Sequence, residues 1–147
     1  MRVSRSSVIV TAPRGVVWTV LTNPEFVRQW QYGSELETTW RVGESIRFRG
    51  QWQGEIFEQW GTVQEFDVPN RLRYSLFAPR PGLEDRPENY FTMTYEVSEG
   101  SDGTTVMFVH EDPRSNADDD GDAVDATDDE NPVLIALKSI AESLALQ

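Results

Sequence analysis

Cysteine is absent from this 147-residue sequence. Without thiols the chain has neither cysteine-based catalysis nor disulfides, and every zinc site that depends on cysteine is excluded. This absence suits a reducing compartment. A chain of this length buries about two-thirds of the surface of its unfolded state, so one hydrophobic core needs no covalent cross-links. We therefore expect a single domain over residues 1–147.

Long apolar runs and positive charge are also scarce. The first residues, MRVSRSSVIVTAPRG, lack the apolar core of a signal peptide, and no apolar run approaches the roughly 18 residues of a membrane helix. Acidic residues number 25 against 13 basic ones, and Lys138 is the only lysine. Because a net charge of −12 repels nucleic acids and anionic membranes, neither is expected as a partner. The expectation is a soluble cytoplasmic protein.

Helical spacing appears at both ends of the chain. Residues 5–12, RSSVIVTA, first predict a strand that ends at Pro13. The apolar spacing in PRGVVWTVLT then predicts a helix that has Pro13 in its first turn. Asn23-Pro24 ends this helix, and PEFVRQWQ predicts a second short one. At the other end, NPVLIALKSIAESLALQ predicts a long amphipathic helix with a wide apolar face.

Alternating patterns from residue 34 onward predict antiparallel strands. ESIRFRG, NRLRYSLF and YFTMTYEV place apolar and polar residues on opposite faces, and GTTVMFVH is apolar almost throughout, as a central strand is. Turn signals separate the runs, such as VPN at 68–70 and EGSDG at 99–103. One apolar and one polar face predict a sheet that is covered on one side only.

Large rings are concentrated in RFRGQWQGEIFEQWGTVQEF, residues 47–66, as Phe48, Trp52, Phe57, Trp60 and Phe66. Such rings suit a core, the wall of a ligand cavity or a surface that binds a partner. The alternation of apolar residues breaks in the second half of this stretch, where Gly61 stands in mid-strand. We predict a bulge or sharp bend near Gly61, which would let the sheet curl around the C-terminal helix.

The ordered set of VIVTAPRGVVWTVLTNPEFVRQW, WRVGESIRFRG, GTVQEFDVPNRLRYSL and the final helix resembles the START-like (SRPBCC) superfamily. Within it, the likeness is to the group related to the activator of Hsp90 ATPase, over about residues 3–111 and 132–146. The resemblance implies an α+β helix-grip fold, in which a curved antiparallel sheet wraps around a long C-terminal helix and two short helices follow the first strand. This sequence departs from the pattern at Glu44, where many relatives have a second glycine, and in an acidic insert at about 115–131.

Relatives of this kind hold a hydrophobic cavity between the concave sheet and the long helix. The resemblance therefore implies a ligand cavity with Trp30 and Trp52 near its mouth, while the opposing interpretation makes each of these rings plain core. The candidate lining residues are aromatic or otherwise large: Trp30, Phe48, Trp52, Tyr74, Phe91, Met93, Tyr95, Phe108 and His110. As a set, rings with polar atoms favour a partly open pocket with a wet mouth.

Catalytic signatures are sparse. His110, the only histidine, is either a base at the pocket mouth near Glu111 or Asp112, or a strand-end residue bonded to backbone, and we favour the second. The common hydrolase, nucleotide-binding and metalloprotease motifs are absent. Three glutamates are candidates for a carboxylate pair, but arginines on neighbouring strands favour cross-strand ion pairs instead. The glutamates are Glu55, Glu58 and Glu65, and the arginines are Arg47, Arg49, Arg71 and Arg73.

The acidic insert invites a calcium interpretation, which fails on spacing. With Gly121 at position 6 of a calcium-binding loop, Thr127 falls at position 12, where a bidentate glutamate is required. Clustered like charges favour an exposed flexible loop instead. We expect no metal and no cofactor.

These observations predict that the domain binds a hydrophobic or aromatic small molecule in its central cavity, with no assigned catalysis. Two alternatives remain. One is a protein-interaction or stress-response module resembling an Hsp90 ATPase activator domain, which acts on a chaperone or another protein through its surface. The other is a cyclase-like or hydrolytic enzyme that uses His110 or an acid in the pocket. The expected oligomeric state is a monomer or a homodimer.

Overall fold

The computed structural model describes residues 2–31, 33–113, 123–126 and 131–146, with the backbone alone for Arg2, Trp52 and residues 123–126. Within these ranges the chain forms eight strands, three α-helices and one turn of 3-10 helix at Pro87–Asn89. In chain order the main elements are β1 (Arg2–Val10), α1 (Arg14–Thr22), α2 (Pro24–Trp30), β2 (Glu35–Thr38), β3 (Ser45–Trp52), β4 (Glu55–Asp67), β5 (Arg71–Leu76), β6 (Phe91–Gly100), β7 (Gly103–Asp112), β8 (Ala123–Ala126) and α3 (Pro132–Ala145).

The strands form one sheet in the order β2-β3-β4-β5-β6-β7-β1-β8. Neighbours from β2 through to β1 are antiparallel. The three helices cover one face, which we call the inner face. Its apolar residues and the helices share a single core. The predicted α+β helix-grip fold, with two short helices after the first strand and a long helix at the end, is confirmed.

β8 was not predicted. It pairs in parallel with β1 along Val3–Ser6 and lies inside the segment predicted as a flexible acidic insert. Except for Asn131, the rest of that insert, including Gly121 and Thr127 of the rejected calcium loop, lies outside the described residues.

β4 is the strand at which the sheet bends. It pairs with β3 along Glu55–Thr62 and with β5 from Val63 onward, and its register shifts between Val63 and Glu65. The bulge therefore falls about three residues beyond the predicted position. Gly61 has a different role, because a Cβ atom there would lie 1.8 Å from the backbone oxygen of Ser75. Only glycine lets β4 and β5 approach so closely where the sheet turns.

Proline and asparagine set the helix boundaries. Pro13 is the N-cap of α1, one position before the first turn in which it was predicted. The side chain of Asn23 caps α2 by accepting a hydrogen bond from the backbone of Glu25 at 3.0 Å, and Asn131 caps α3 in the same way. None of the helices that the structure describes is long and apolar enough to cross a bilayer.

α3 is fixed to the end of β1 through its only two charged residues. Lys138 donates to the backbone oxygen of Ile9 at 2.6 Å and pairs with Glu142 at 2.6 Å. Glu142 in turn accepts from the backbone N–H of Thr11 at 2.8 Å. These bonds lower the pKa of Glu142 and hold the helix against the end of the sheet. The buried line of α3 is Leu134, Leu137 and Ala141.

Cross-strand ion pairs occupy the outer face of the sheet, as predicted. Glu58 pairs with Arg47 at 3.1 Å and with Arg49 at 3.7 Å. Arg71 likewise lies 3.1 Å from both Glu65 and Glu96. Because these carboxylates are partly exposed and neutralised by arginines, they form a structural surface and are not arranged as a catalytic pair.

Candidate functional site

The register of β5, β6 and β7 places large side chains in rows across the inner face. Tyr95 lies between Leu72 and Phe108, and its ring stacks on Phe108 with centroids 4.7 Å apart. The next row towards one end of the sheet contains Tyr74, Met93 and His110. Phe91 follows one row further out.

α3 covers only part of these rows. It begins level with Ser6, whose hydroxyl oxygen accepts from the amide of Asn131 at 2.7 Å, and it runs towards Ile9 and Thr11. Ser6 is paired with Phe108, so the rows of His110 and Phe91 lie beyond the start of the helix. We call this end of the inner face the open end. The tip of the β3–β4 hairpin reaches the same end of the sheet.

Five side chains form what we call the open-end strip: Phe57, Phe91, Met93, Phe108 and His110. The last four are half-buried on neighbouring strands. The His110 ring lies 5.0 Å from Phe91 and 6.3 Å from Phe108, measured between centroids. Phe57 lies on the same inner face as Phe48, two residue pairs nearer the tip of the hairpin, and its side chain is 49% exposed. The rings on β6 and β7 contact one another, whereas Phe57 on β4 is separated from them by β5. Together they are side chains on three strands that solvent reaches.

The other described candidates lie deeper. Phe48, Tyr74 and Tyr95 are buried, and the Phe48 and Tyr74 rings lie 5.7 Å apart. Together with Trp30 and six other residues they enclose a void of about 10 Å³. That volume accommodates about one water molecule, so the void by itself does not hold a ligand body.

Trp30 is not at a cavity mouth, and this prediction is wrong. Its side chain is 2% exposed, its indole N–H donates to the backbone oxygen of Val20 at 2.8 Å, and its ring meets Tyr95 edge-on at 6.1 Å. α2 packs against α1, and this contact draws the indole inward. Trp52 lies at the hairpin tip, opposite Glu55, and its side chain is outside the described residues.

Tyr74 and Tyr95 bring two hydroxyl groups into the core beside the void. The Tyr74 hydroxyl contacts the Tyr95 hydroxyl and the side chain of Gln31, which follows α2. Burial raises the pKa of Tyr74 well above its ordinary value, and burial together with the neighbouring Tyr74 does the same for the pKa of Tyr95. Both phenols are protonated at neutral pH, and in the bond between them one hydroxyl donates and the other accepts.

His110 does not have the acidic neighbour that the catalytic hypothesis gave it in Glu111. Consecutive strand residues face opposite sides, and Glu111 lies on the outer face, 3.8 Å from Arg73. Asp112 shares the inner face with His110. Among the described residues, no group of three or more histidine, aspartate or glutamate side chains is placed to hold a metal ion.

Sequence reasoning missed two residues of this region. Phe57 was noted as a ring but not as a site residue, because its face depends on the pairing of Gly50 with Phe57 across the hairpin. The available signal was that Phe57 lies two residues before Gln59, so the two residues share a face of the strand, and Gln59 pairs with Phe48. Gln31 carried no signal, because it reaches Tyr74 only through the docking of α2.

Comparisons with known proteins agree with this fold. The family model described as "Activator of Hsp90 ATPase homolog 1-like protein" matches residues 11–140. A solution structure of the protein ChR145 from Cytophaga hutchinsonii is 24% identical with a TM-score of 0.66, and the match covers 97% of this chain and 84% of that one. The AHSA1-like protein from Aeromonas hydrophila is 14% identical with a TM-score of 0.70, over 99% and 95% of the two chains. A search of curated proteins found no match.

Proposed function

This chain belongs to the Activator of Hsp90 ATPase homolog 1-like family, and we propose that it binds an apolar or aromatic small molecule against the open-end strip, without catalysing a reaction. The fold of this family suits a ligand-binding or Hsp90-activator-like module. The binding site itself is our proposal.

The observation that carries the proposal is the exposed apolar strip on the inner face. Phe57 is 49% exposed on the inner face, and four further members of the strip are half-buried there. The outer face of the same strands carries ion pairs together with the exposed apolar residues Ile56 and Met107. Apolar surface that remains in contact with water favours a partner that removes the water, at about 25 cal/mol per Å². A few hundred square ångströms, after the cost of association, correspond to roughly micromolar affinity.

Phe57→Ala is expected to weaken binding of N-phenyl-1-naphthylamine, a neutral dye that brightens on leaving water, by about five- to tenfold. The ring is half exposed, so its loss removes ligand contact with little effect on the core. Ile56→Ala is the matched control, because Ile56 is the adjacent residue, is 63% exposed and faces the opposite side. Fluorescence titration of the two variants and the unchanged protein measures the difference.

Equal weakening by Phe57→Ala and Ile56→Ala would place the dye on a general surface of the hairpin. No brightening with the unchanged protein at any soluble dye concentration would remove the small-molecule function altogether.

A second function, action on a protein partner, is favoured by the outer face of the hairpin. Ile56 lies there in a shallow depression of about 400 Å³, and its other lining residues are Arg47, Glu58, Trp60 and Pro79. Exposed apolar surface rimmed by charges suits a protein interface. If this function holds, the chain raises the ATPase turnover of Hsp90 and Ile56→Ala, not Phe57→Ala, abolishes the effect.

A further inference from the structure

The void behind the open-end strip is polar at one end. Its ten described lining residues include seven apolar or indole side chains and Gln31, Tyr74 and Tyr95. Tyr74 is directly opposite Met93, a member of the strip, and Tyr95 is two residues beyond Met93 on the same face. Tyr95 also stacks on Phe108 of the strip, so two of the residues that line the void adjoin the strip.

The size and the charge of the void restrict what enters it. Its volume of about 10 Å³ admits about one non-hydrogen atom of the size of a water oxygen. None of the ten residues is ionised, since burial keeps both phenols neutral. The arginines of β3 and β5 lie on the outer face, engaged with glutamates. A carboxylate in the void would thus be a buried charge without a partner, which is strongly unfavourable.

We propose that Tyr74, Tyr95 and Gln31 receive the single neutral oxygen of a ligand whose apolar body lies on the open-end strip. The ligand class is then an uncharged aromatic or aliphatic molecule with one terminal carbonyl or hydroxyl group, rather than a fatty acid or another carboxylate. This inference rests on the binding function proposed above, and it adds the chemical class of the ligand.

The donors and acceptors beside the void match such a group. A phenolic O–H or the amide N–H of Gln31 donates to a carbonyl oxygen, and a ligand hydroxyl also donates to the oxygen of the amide. Gln31 is half-buried and bonds to Tyr74, so its side chain connects the two tyrosines with the surface. Tyr74, Tyr95 and Gln31 already bond one another, so a ligand oxygen adds about one net hydrogen bond, which corresponds to roughly tenfold in affinity.

Three probes with the same ring system test the proposal by displacing N-phenyl-1-naphthylamine: 2-acetylnaphthalene, 2-ethylnaphthalene and 2-naphthoate. The ketone is expected to displace the dye at concentrations about tenfold lower than the hydrocarbon, and the carboxylate is expected to be the weakest of the three. In the double variant Tyr74→Phe/Tyr95→Phe, the affinity for the ketone should fall to that for the hydrocarbon, and the affinity for the hydrocarbon should not change. Circular dichroism establishes that the variant is folded.

Gln31→Leu provides the same comparison with less risk to the fold, because the residue is half-buried. It should lower the preference for the ketone by several-fold. Equal displacement by ketone and hydrocarbon with the unchanged protein, or preference for the carboxylate, would overturn this inference while the small-molecule function stands. No displacement by any probe, after dye binding is established, would place the dye elsewhere and contradict the proposed site as well.

Discussion

Gly61→Ala is expected to lower the free energy of unfolding by about 3 kcal/mol or more, although it adds only one methyl group. The new Cβ atom would lie 1.8 Å from the backbone oxygen of Ser75 and 2.5 Å from its carbonyl carbon. Both atoms belong to β5, so the clash is relieved only if β4 and β5 separate at the point where β4 bends. Urea unfolding followed by circular dichroism measures the loss, and the melting temperature should fall by about 6 °C or more.

Gly50→Ala is the matched control for this prediction. Gly50 lies on β3, in the same hairpin, and a Cβ atom there would be 3.6 Å from the hydroxyl oxygen of Ser34, an ordinary contact. We expect a change within about 0.5–1 kcal/mol of the unchanged protein. If the two alanine variants were equally stable, the close approach of β4 to Ser75 would be wrong.

Alkaline pH is expected to destabilise the protein through Tyr74 and Tyr95. Both pKa values are raised in the folded state, mainly by burial, whereas the unfolded chain keeps the ordinary value of 10.0. Folding therefore favours the protonated phenols, and their contribution to stability is fully present below the unfolded pKa. As the pH rises above 10.0 the unfolded chain loses its protons first, and stability falls by up to about 1.4 kcal/mol per pH unit for each phenol.

Phenolate absorbance followed together with circular dichroism tests this coupling. Of the four tyrosines in the chain, Tyr74 and Tyr95 are expected to ionise only with the unfolding transition. Tyr74→Phe should halve the absorbance change that accompanies unfolding, and Tyr90→Phe should leave that change in place. Ionisation of all four tyrosines in the folded protein would show that the two phenols are accessible to water.

Local periodicity was enough to predict the strands and the long helix. ESIRFRG and NRLRYSLF alternate because one face of each packs on the core, and they became β3 and β5 with their arginines on the outer face. α3 was equally predictable, because its apolar residues repeat at helical spacing over four turns. In each of these elements the pattern of apolar residues along the chain shows which face is buried.

Features that depend on contacts between secondary-structure elements could not be predicted from local periodicity. Trp30 was placed near a cavity mouth because it lies near a predicted loop end, yet its indole is drawn inward by a hydrogen bond to α1. The bulge was assigned to Gly61, the residue that looked unusual, whereas the register shift falls near Gln64 and Gly61 serves the contact with β5. A glycine in a strand signals either event, and only the strand pairing separates them.

The candidate site depends on register across the whole sheet. Residues Tyr74 and Tyr95 are far apart in the sequence, and Gln31 joins them only because α2 docks beside β5 and β6. The alternation in YFTMTYEV predicted one face for Phe91, Met93 and Tyr95, and in the sheet Met93 and Tyr95 pair with Tyr74 and Leu72 on that face. The sequence predicted the length of α3 but not where along the sheet the helix begins, and this decides which of the inward residues remain open to a ligand.

Family membership does not decide between a small molecule and a protein partner. The solved structures that share the fold are 14–24% identical to this chain in the comparisons given above, so they establish architecture alone. The side chains of the open-end strip and of the outer hairpin face are therefore what distinguishes the two functions.

Carbon-13 spectra of the methionine methyl groups test the central claim most directly. Met93 belongs to the open-end strip, whereas Met107, on the neighbouring strand, is 38% exposed on the outer face opposite Glu96. Titration with N-phenyl-1-naphthylamine is predicted to shift the Met93 signal, assigned through Met93→Leu, and to leave the Met107 signal unchanged. A shift at Met107 alone, or at neither methyl group when the fluorescence is saturated, would contradict ligand binding on the inner face.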